Sequence, residues 1–172
     1  MREYQNFIYG KWVDFVNSGI TSEVARWVSR VVGEDYLDVT AEPVGGRHAL
    51  LLYKSDGTRV RLGDVGDGVQ VLVVARMLVD YLKPEVILWD DVESHMNPRA
   101  LQLLTLWLSE LVEQGRQVVV STHSIEAARL ILKLAPQAIL VRLELKNGTL
   151  EAKRLTVEEL EKLEELGVDV RI

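Results

Sequence analysis

The chain has 172 residues, enough for one domain around a single core, and its 48% hydrophobic and 27% charged content excludes a disordered chain. A formal net charge of −6 argues against a nucleic-acid coat protein, though it leaves room for a local basic patch. With no cysteine, disulfide scaffolds, thiolate zinc sites and cysteine nucleophiles are excluded, and a reducing compartment is expected.

Tyr4 to Val32 reads as helix. Phe7, Ile8, Trp12, Phe15 and Val16 recur at helical spacing, and Val24, Trp27, Val28, Val31 and Val32 form a second run. Gly19 separates the two, with Thr21 or Ser22 expected as the second cap. From Tyr36 to Leu62 the period becomes two, with Gly45-Gly46 and Ser55-Asp56-Gly57 as turns. That pattern predicts a short antiparallel meander.

Val69 to Leu82 is apolar nearly all round and predicts a buried helix ended by Pro84. Glu85 to Trp89 reads as a strand covered on both faces. Asn97-Pro98 should open a helix that Gly115 ends. Gln117 to Ser121 predicts a second buried strand, followed by a helix capped by Ser124. Ala138 to Leu143 predicts a third strand, and Lys146-Asn147-Gly148-Thr149 a hairpin into Leu150–Arg154. Thr156 should cap a final acidic helix broken at Gly167. Strands alternating with helices from Val69 to Leu143 indicate a parallel α/β sheet. No linker-like stretch divides the chain, so a single domain over 1–172 is expected.

No apolar run reaches membrane-spanning length, and Met1–Asn6 lacks the apolar core of a signal peptide. A cytoplasmic protein without membrane contact is expected.

Three features could carry chemistry. Asp90 and Asp91 end a buried strand, where ligands of open α/β sheets bind. Adjacent acids on a strand face opposite ways, so one could hold a metal while the other polarises water. His123 follows the next strand and would share that sheet edge. Isolated, the two acids would read as solvated and the histidine as a helix cap. The third feature is Gly63-Asp64-Val65-Gly66-Asp67-Gly68-Val69-Gln70, whose backbone N–H groups at a helix start could bind an anion, or which could be a plain turn.

In this order the three features resemble the carboxyl-terminal lobe of ABC-class ATPases, in the RecF/SMC-like and OLD-like AAA-type group. The likeness runs closely from Gly63 to Leu132, and the meander and the terminal Leu166-Gly167-Val168-Asp169-Val170-Arg171 also resemble that group. It implies a partial P-loop NTPase fold: parallel strands with flanking helices, preceded by helices and a β-meander. Residues 1–62 would be the helices and meander, 63–143 the lobe, and 144–172 a hairpin and terminal helix. Gly66, Asp67, Gly68 and Gln70 would stand at the signature motif, touching the γ-phosphate of ATP held by a partner. Asp90 would hold Mg²⁺ through water, and Asp91 would orient the attacking water where the family has glutamate. Ser94, His95 and Asn97 would form the D-loop, and His123 the switch histidine.

Two departures bear on activity. Nothing in Met1–Leu62 matches a P-loop; Gly45-Gly46-Arg47-His48 lacks the lysine and hydroxyl. The resemblance therefore implies ATP and Mg²⁺ only with a complementing P-loop lobe, and a chain inactive alone. Asp91 is one methylene shorter than glutamate, and a misplacement near 1 Å can cost about 10²-fold in rate.

The family's strand leading into the P-loop would lie between Val118–Val120 and Ile139–Val141, leaving two open edges. Either these strands pair directly or another chain fills the gap; some rearrangement with self-association is the expectation.

Elsewhere, His48 and His95 read as surface or structural residues, and the four tryptophans as packing. Arg47, Lys54, Arg59 and Arg61 could touch nucleic acid but read better as a solvated face. The alternatives are a non-catalytic interaction module derived from such an ATPase, and a Mg²⁺-dependent phosphoesterase using Asp90, Asp91 and Glu93.

Overall fold

Apolar residues at helical spacing organise the chain as far as Val32, in three helices rather than two. The structure, a computed structural model, describes residues 2–165. Helix α1 covers Arg2–Gly10, α2 Trp12–Asn17 and α3 Ile20–Val32. Gly19 breaks the run as expected, at φ 76°, but α3 starts directly after it without a side-chain cap. The Ser22 hydroxyl instead donates to the Gly19 carbonyl, so neither Thr21 nor Ser22 acts as the cap. The expected Gly167 break and the stretch Leu166–Arg171 lie outside the described residues.

The described residues fall into two compact units. The first takes residues up to Glu85 together with His95–Ala100; the second takes Val86–Ser94 and residues from Leu101 on.

In the first unit, strands β1 (Tyr36–Val44), β2 (Arg47–Lys54) and β3 (Arg59–Arg61) form the antiparallel meander in the order β1-β2-β3. Helix α4 (Asp67–Leu82) packs against α3, which also covers β1. No residue of α4 from Gly68 through Tyr81 is exposed, as its all-round apolar pattern predicts. Phe15, Val28, Leu52, Leu72 and Met77 close this core. Three of the four meander cations are spent on acids. Lys54 meets Glu34 at 2.6 Å, Arg59 meets Glu42 at 2.9 Å, and Arg61 meets Asp64 at 2.8 Å.

The second unit holds the parallel pair β4 (Val86–Trp89) and β5 (Gln117–Val120), in register from Val86↔Gln117 to Trp89↔Val120. Helix α5 (Pro98–Glu113) connects them, opened by an Asn97 side chain that accepts from the Ala100 amide at 2.8 Å. Gly115 terminates it at φ 87°. Trp107 is buried and meets Trp89 edge-on at 6.5 Å, so both serve packing. Helix α6 (Ile125–Leu134) begins at Ser124, whose hydroxyl accepts from the Ala127 amide.

Two expectations for this sheet need correction. The third strand, β6 (Leu140–Lys146), does not join the parallel pair; it forms a separate antiparallel hairpin with β7 (Thr149–Leu155). Its turn is the predicted one, with Asn147 and Gly148 both at positive φ. Nor are β4 and β5 covered on both faces. In an in-register parallel pair Val86, Leu88 and Val119 share a face, and they are 50%, 77% and 49% exposed. Ile87 on the other face is buried. Nothing among the described residues supplies the second covering layer that parallel sheets ordinarily have.

Helix α7 (Val157–Glu165) closes the described chain with a reciprocal cap: the Glu159 amide donates to the Thr156 hydroxyl, and the Thr156 amide to the Glu159 carboxylate.

Candidate functional site

The chemistry of the second unit gathers where β4 and β5 end side by side. The Ser121 amide donates to the Trp89 carbonyl, and the Val92 amide to the Ser121 carbonyl. These bonds carry the contact past the strand ends, to Ser121 after β5 and to Val92 after β4. The Ser121 hydroxyl donates to the Asp90 carboxylate, while the Asp91 amide donates to the Ser121 oxygen at 2.9 Å. One hydroxyl therefore orients both acidic residues.

Strand alternation is not what separates the two carboxylates. The strand stops at Trp89, and Asp91 sits at φ 49°, in the left-handed region. Aspartate tolerates that conformation better than most residues because its short polar chain can bond locally. The turn brings Asp91 Oδ1 to 3.4 Å from His123 Nε2, leaving Asp90 to Ser121. His123 is 73% exposed, so its imidazole is free to meet a ligand.

Glu93 supports this histidine through its backbone. Its carboxylate accepts the His123 backbone amide at 2.8 Å. Burial pushes the Glu93 carboxyl up, but the Thr122 hydroxyl and the amides of Glu93 and His123 outweigh it and leave it below the ordinary glutamate range. Glu93 is thus charged where it holds the loop.

A second group forms in the first unit, at the start of α4. Gly66 is the residue before the helix, at φ 99°, and accepts the Gln70 amide. The first-turn amides of Asp67 and Gly68 face the helix entrance, where orphan donors and the dipole favour an anion. Gly68 is buried, and a Cβ there would lie 2.5 Å from the His95 carbonyl oxygen. Only glycine lets the His95–Met96 backbone come this close. Asp67 Oδ2 lies 3.8 Å from His95 Nδ1, with both side chains mostly exposed.

The expected site residues therefore assemble as two sets. Asp90, Asp91 and His123 come together in one unit; Gly66, Asp67, Gly68, Gln70 and His95 come together in the other. Asn97 spends its side chain on capping α5, and Ser94 bonds through its backbone to the Asp91 carbonyl. Ser121 and the positioning role of Glu93 were not singled out by sequence reasoning. Their signal was present, as polar residues one position past β5 and four positions past β4. What they bond to depends on the pairing of the two strand ends.

Among the described residues no group of three or more His, Asp or Glu side chains could hold a metal. Asp90 alone fits Mg²⁺ in the manner of a nucleotide site, where one or two carboxylates join phosphate oxygens and water.

Residues 11–128 match the family described as "AAA domain, putative AbiEii toxin, Type IV TA system". Solved structures share the fold. One, described under the structural biochemistry of ATP-driven dimerization and DNA stimulated activation of SMC ATPases, has a TM-score of 0.64 at 13% identity. The alignment covers 95% of this chain and 97% of that one. The Smc head domain with a coiled coil and joint from Pyrococcus yayanosii has a TM-score of 0.64 at 11% identity, over 87% of this chain and 29% of that one. The Smc head domain from Pyrococcus furiosus bound to the C-terminal domain of ScpA has a TM-score of 0.57 at 11% identity, over 87% and 38%. The chain thus spans nearly all of the first and well under half of the other two. At these identities the likeness is of fold. No curated protein matches this chain.

Proposed function

Because the chain belongs to this AAA-domain family, we propose that it is the carboxyl-terminal lobe of an ABC-type ATPase. It would supply the signature, Walker B, D-loop and switch-histidine elements to a nucleotide held chiefly by a P-loop-bearing lobe. The observation that carries this reading is the shared strand end: Asp90 held by Ser121, and Asp91 3.4 Å from His123.

When bound, Mg²⁺ would neutralise phosphate charge, with Asp90 holding it through water. The Asp91 carboxylate and the His123 imidazole are close enough to share one water, which Asp91 would orient while His123 reaches the terminal phosphate. Glu93 fixes the backbone from which His123 projects. The start of α4 offers backbone donors to the ATP of an apposed head, with Gly66 and Gly68 allowing close approach. With one carboxylate available, the metal depends on the phosphates, and these depend on a P-loop; ATP and Mg²⁺ therefore bind only in the completed assembly. The partners are that lobe or further copies of this chain, in the cytoplasm.

Phosphate release by the purified chain tests this, alone and after mixing with a P-loop lobe of the same family. No turnover alone and turnover on mixing is expected. Turnover by the chain alone, abolished by Asp90→Ala, overturns the need for a second lobe. The aspartate at position 91, one methylene short of glutamate, favours the second reading, a non-catalytic interaction module; nucleotide binding without turnover in the mixed assembly would establish it.

A further inference from the structure

The antiparallel meander of the first unit leaves backbone without a strand beside it along β1, along β3, and where β2 extends beyond β3. β1 and β2 meet at the two-residue turn Gly45-Gly46, with Val44 opposite Arg47. Such a turn closes on a hydrogen-bonded pair, and bonded pairs then alternate with unbonded ones along the ladder. Thr40, Glu42 and Val44 therefore bond inward to β2. Val39, Ala41 and Pro43 turn their backbone groups to the outer side, where no strand lies among the described residues.

A row of outward N–H and C=O groups is a template for another strand. On β1 the donors of that row are missing or engaged. Pro43 has no N–H. The Val39 amide donates to the Asp38 carboxylate at 2.9 Å. At the start of the strand the Tyr36 amide donates to the Ser29 hydroxyl at 2.9 Å, and the register shifts between Tyr36 and Asp38. Ala41 keeps its N–H, between two closed positions. The other edges are treated alike. The Tyr9 hydroxyl donates to the His48 carbonyl, on the part of β2 that β3 does not reach. β3 is three residues long, and its two arginines pair with Glu42 and Asp64. Short edge strands, charged side chains, proline and bulges are the means by which edges avoid pairing.

We infer that the outer edge of β1 is closed to strand addition by Asp38 and Pro43, and that the strand it refuses is β1 of a second copy. Two copies of β1 meeting antiparallel about a two-fold axis at Ala41 would set Val39 of each opposite Pro43 of the other. The flanking pairs would then lack both of their donors, and the central Ala41 pair alone would keep its bonds. Without Asp38 and Pro43, β1 is suited to pairing: it is nine residues long and carries Val39, Thr40 and Val44, which favour strands. Copies of this chain associate through surfaces other than this edge.

Amide hydrogen exchange, read by NMR over a range of protein concentrations, tests this on the purified chain without nucleotide or a second lobe. In the wild type, exchange at Ala41 should not depend on concentration. In Asp38→Ala combined with Pro43→Val, exchange at Val39 and Ala41 should slow by about tenfold from dilute to concentrated samples, and sedimentation should show a species larger than any in the wild type. Asp38→Asn retains a side-chain carbonyl for the Val39 amide and should behave as wild type. If the double variant loses its fold, Pro43→Val alone should show a smaller shift in the same direction. Concentration-dependent protection of Ala41 in the wild type overturns the inference, because the edge is then already in use. So does a folded double variant, or a folded Pro43→Val, whose Ala41 exchange ignores concentration or whose protection lies only outside β1. Asp38→Asn that associates would remove the acceptor from the explanation and overturn the role of Asp38. None of these readouts depends on the ATPase reading.

Discussion

Gly68→Ala isolates the contact that joins the start of α4 to the His95–Met96 loop. An ideal Cβ at position 68 would lie 2.5 Å from the His95 carbonyl oxygen, 3.3 Å from its carbonyl carbon and 3.5 Å from the Met96 Cα. All three neighbours are backbone, so no side chain can rotate away. Overpacking of this kind costs about 1–3 kcal/mol. Alanine regains up to about 1 kcal/mol of helix propensity, and less than that in a first turn. The net expectation is a loss of about 1–2 kcal/mol, or roughly 2–8 °C in Tm for a chain of this size. Urea unfolding at constant m-value reads it directly. Two other glycines separate the causes. Gly63 has nothing within 4 Å of its would-be Cβ, so Gly63→Ala should be near neutral. Gly66 is equally open but sits at φ 99°, so Gly66→Ala should cost about 1–3 kcal/mol through the backbone. A Gly68→Ala protein as stable as Gly63→Ala would refute the close approach.

In the mixed assembly, Asp91→Asn and His123→Ala should each lower phosphate release by about 10²-fold or more, and Asp91→Glu should leave it unchanged or raise it. Full rate in Asp91→Asn would remove that residue from the mechanism. Glu93 has a lowered folded pKa, so its stabilisation is present above the unfolded value of 4.5 and is lost as pH falls through the folded value. Urea midpoints of Glu93→Gln should therefore fall less steeply than wild type below pH 4.5; parallel curves would deny the charge a role. Thr156→Ala removes half of a reciprocal cap and should speed amide exchange across α7 by an amount matching about 1 kcal/mol. Leu88→Lys should change the stability of the chain alone by less than about 0.5 kcal/mol, because the side chain is 77% exposed, yet should block association with a P-loop lobe in light scattering. Strong destabilisation would mean that this face is already covered.

Local chemistry was legible in the sequence because its causes lie within a few residues. Asn97-Pro98 and Ser124 begin their helices through side chains that reach amides three positions away, and Asn147-Gly148 turns because both residues accept positive φ. The all-round apolar run of α4 could be satisfied only by burial. The order of the glycine segment, the paired acids and the later histidine likewise survives in one dimension, and it sufficed to indicate the family.

Long-range pairing decided the rest. An apolar run reads the same whether its second face is covered by its own chain or left bare, so Val86–Trp89 looked fully buried although Leu88 lies open. Ile139–Leu143 looked like a third parallel strand, but strand direction is set by the partner, and the tight turn at Asn147-Gly148 commits it to β7. Asp90 and Asp91 appeared to be separated by strand alternation; the strand ends one residue earlier, and the left-handed turn at Asp91 does the separating. The four bonds through Ser121 exist only once β4 and β5 lie side by side in register. Residue order determined which groups could perform the chemistry. Only tertiary structure decided which of them meet, because hydrogen bonds and ion pairs act over a few ångströms of space irrespective of separation along the chain.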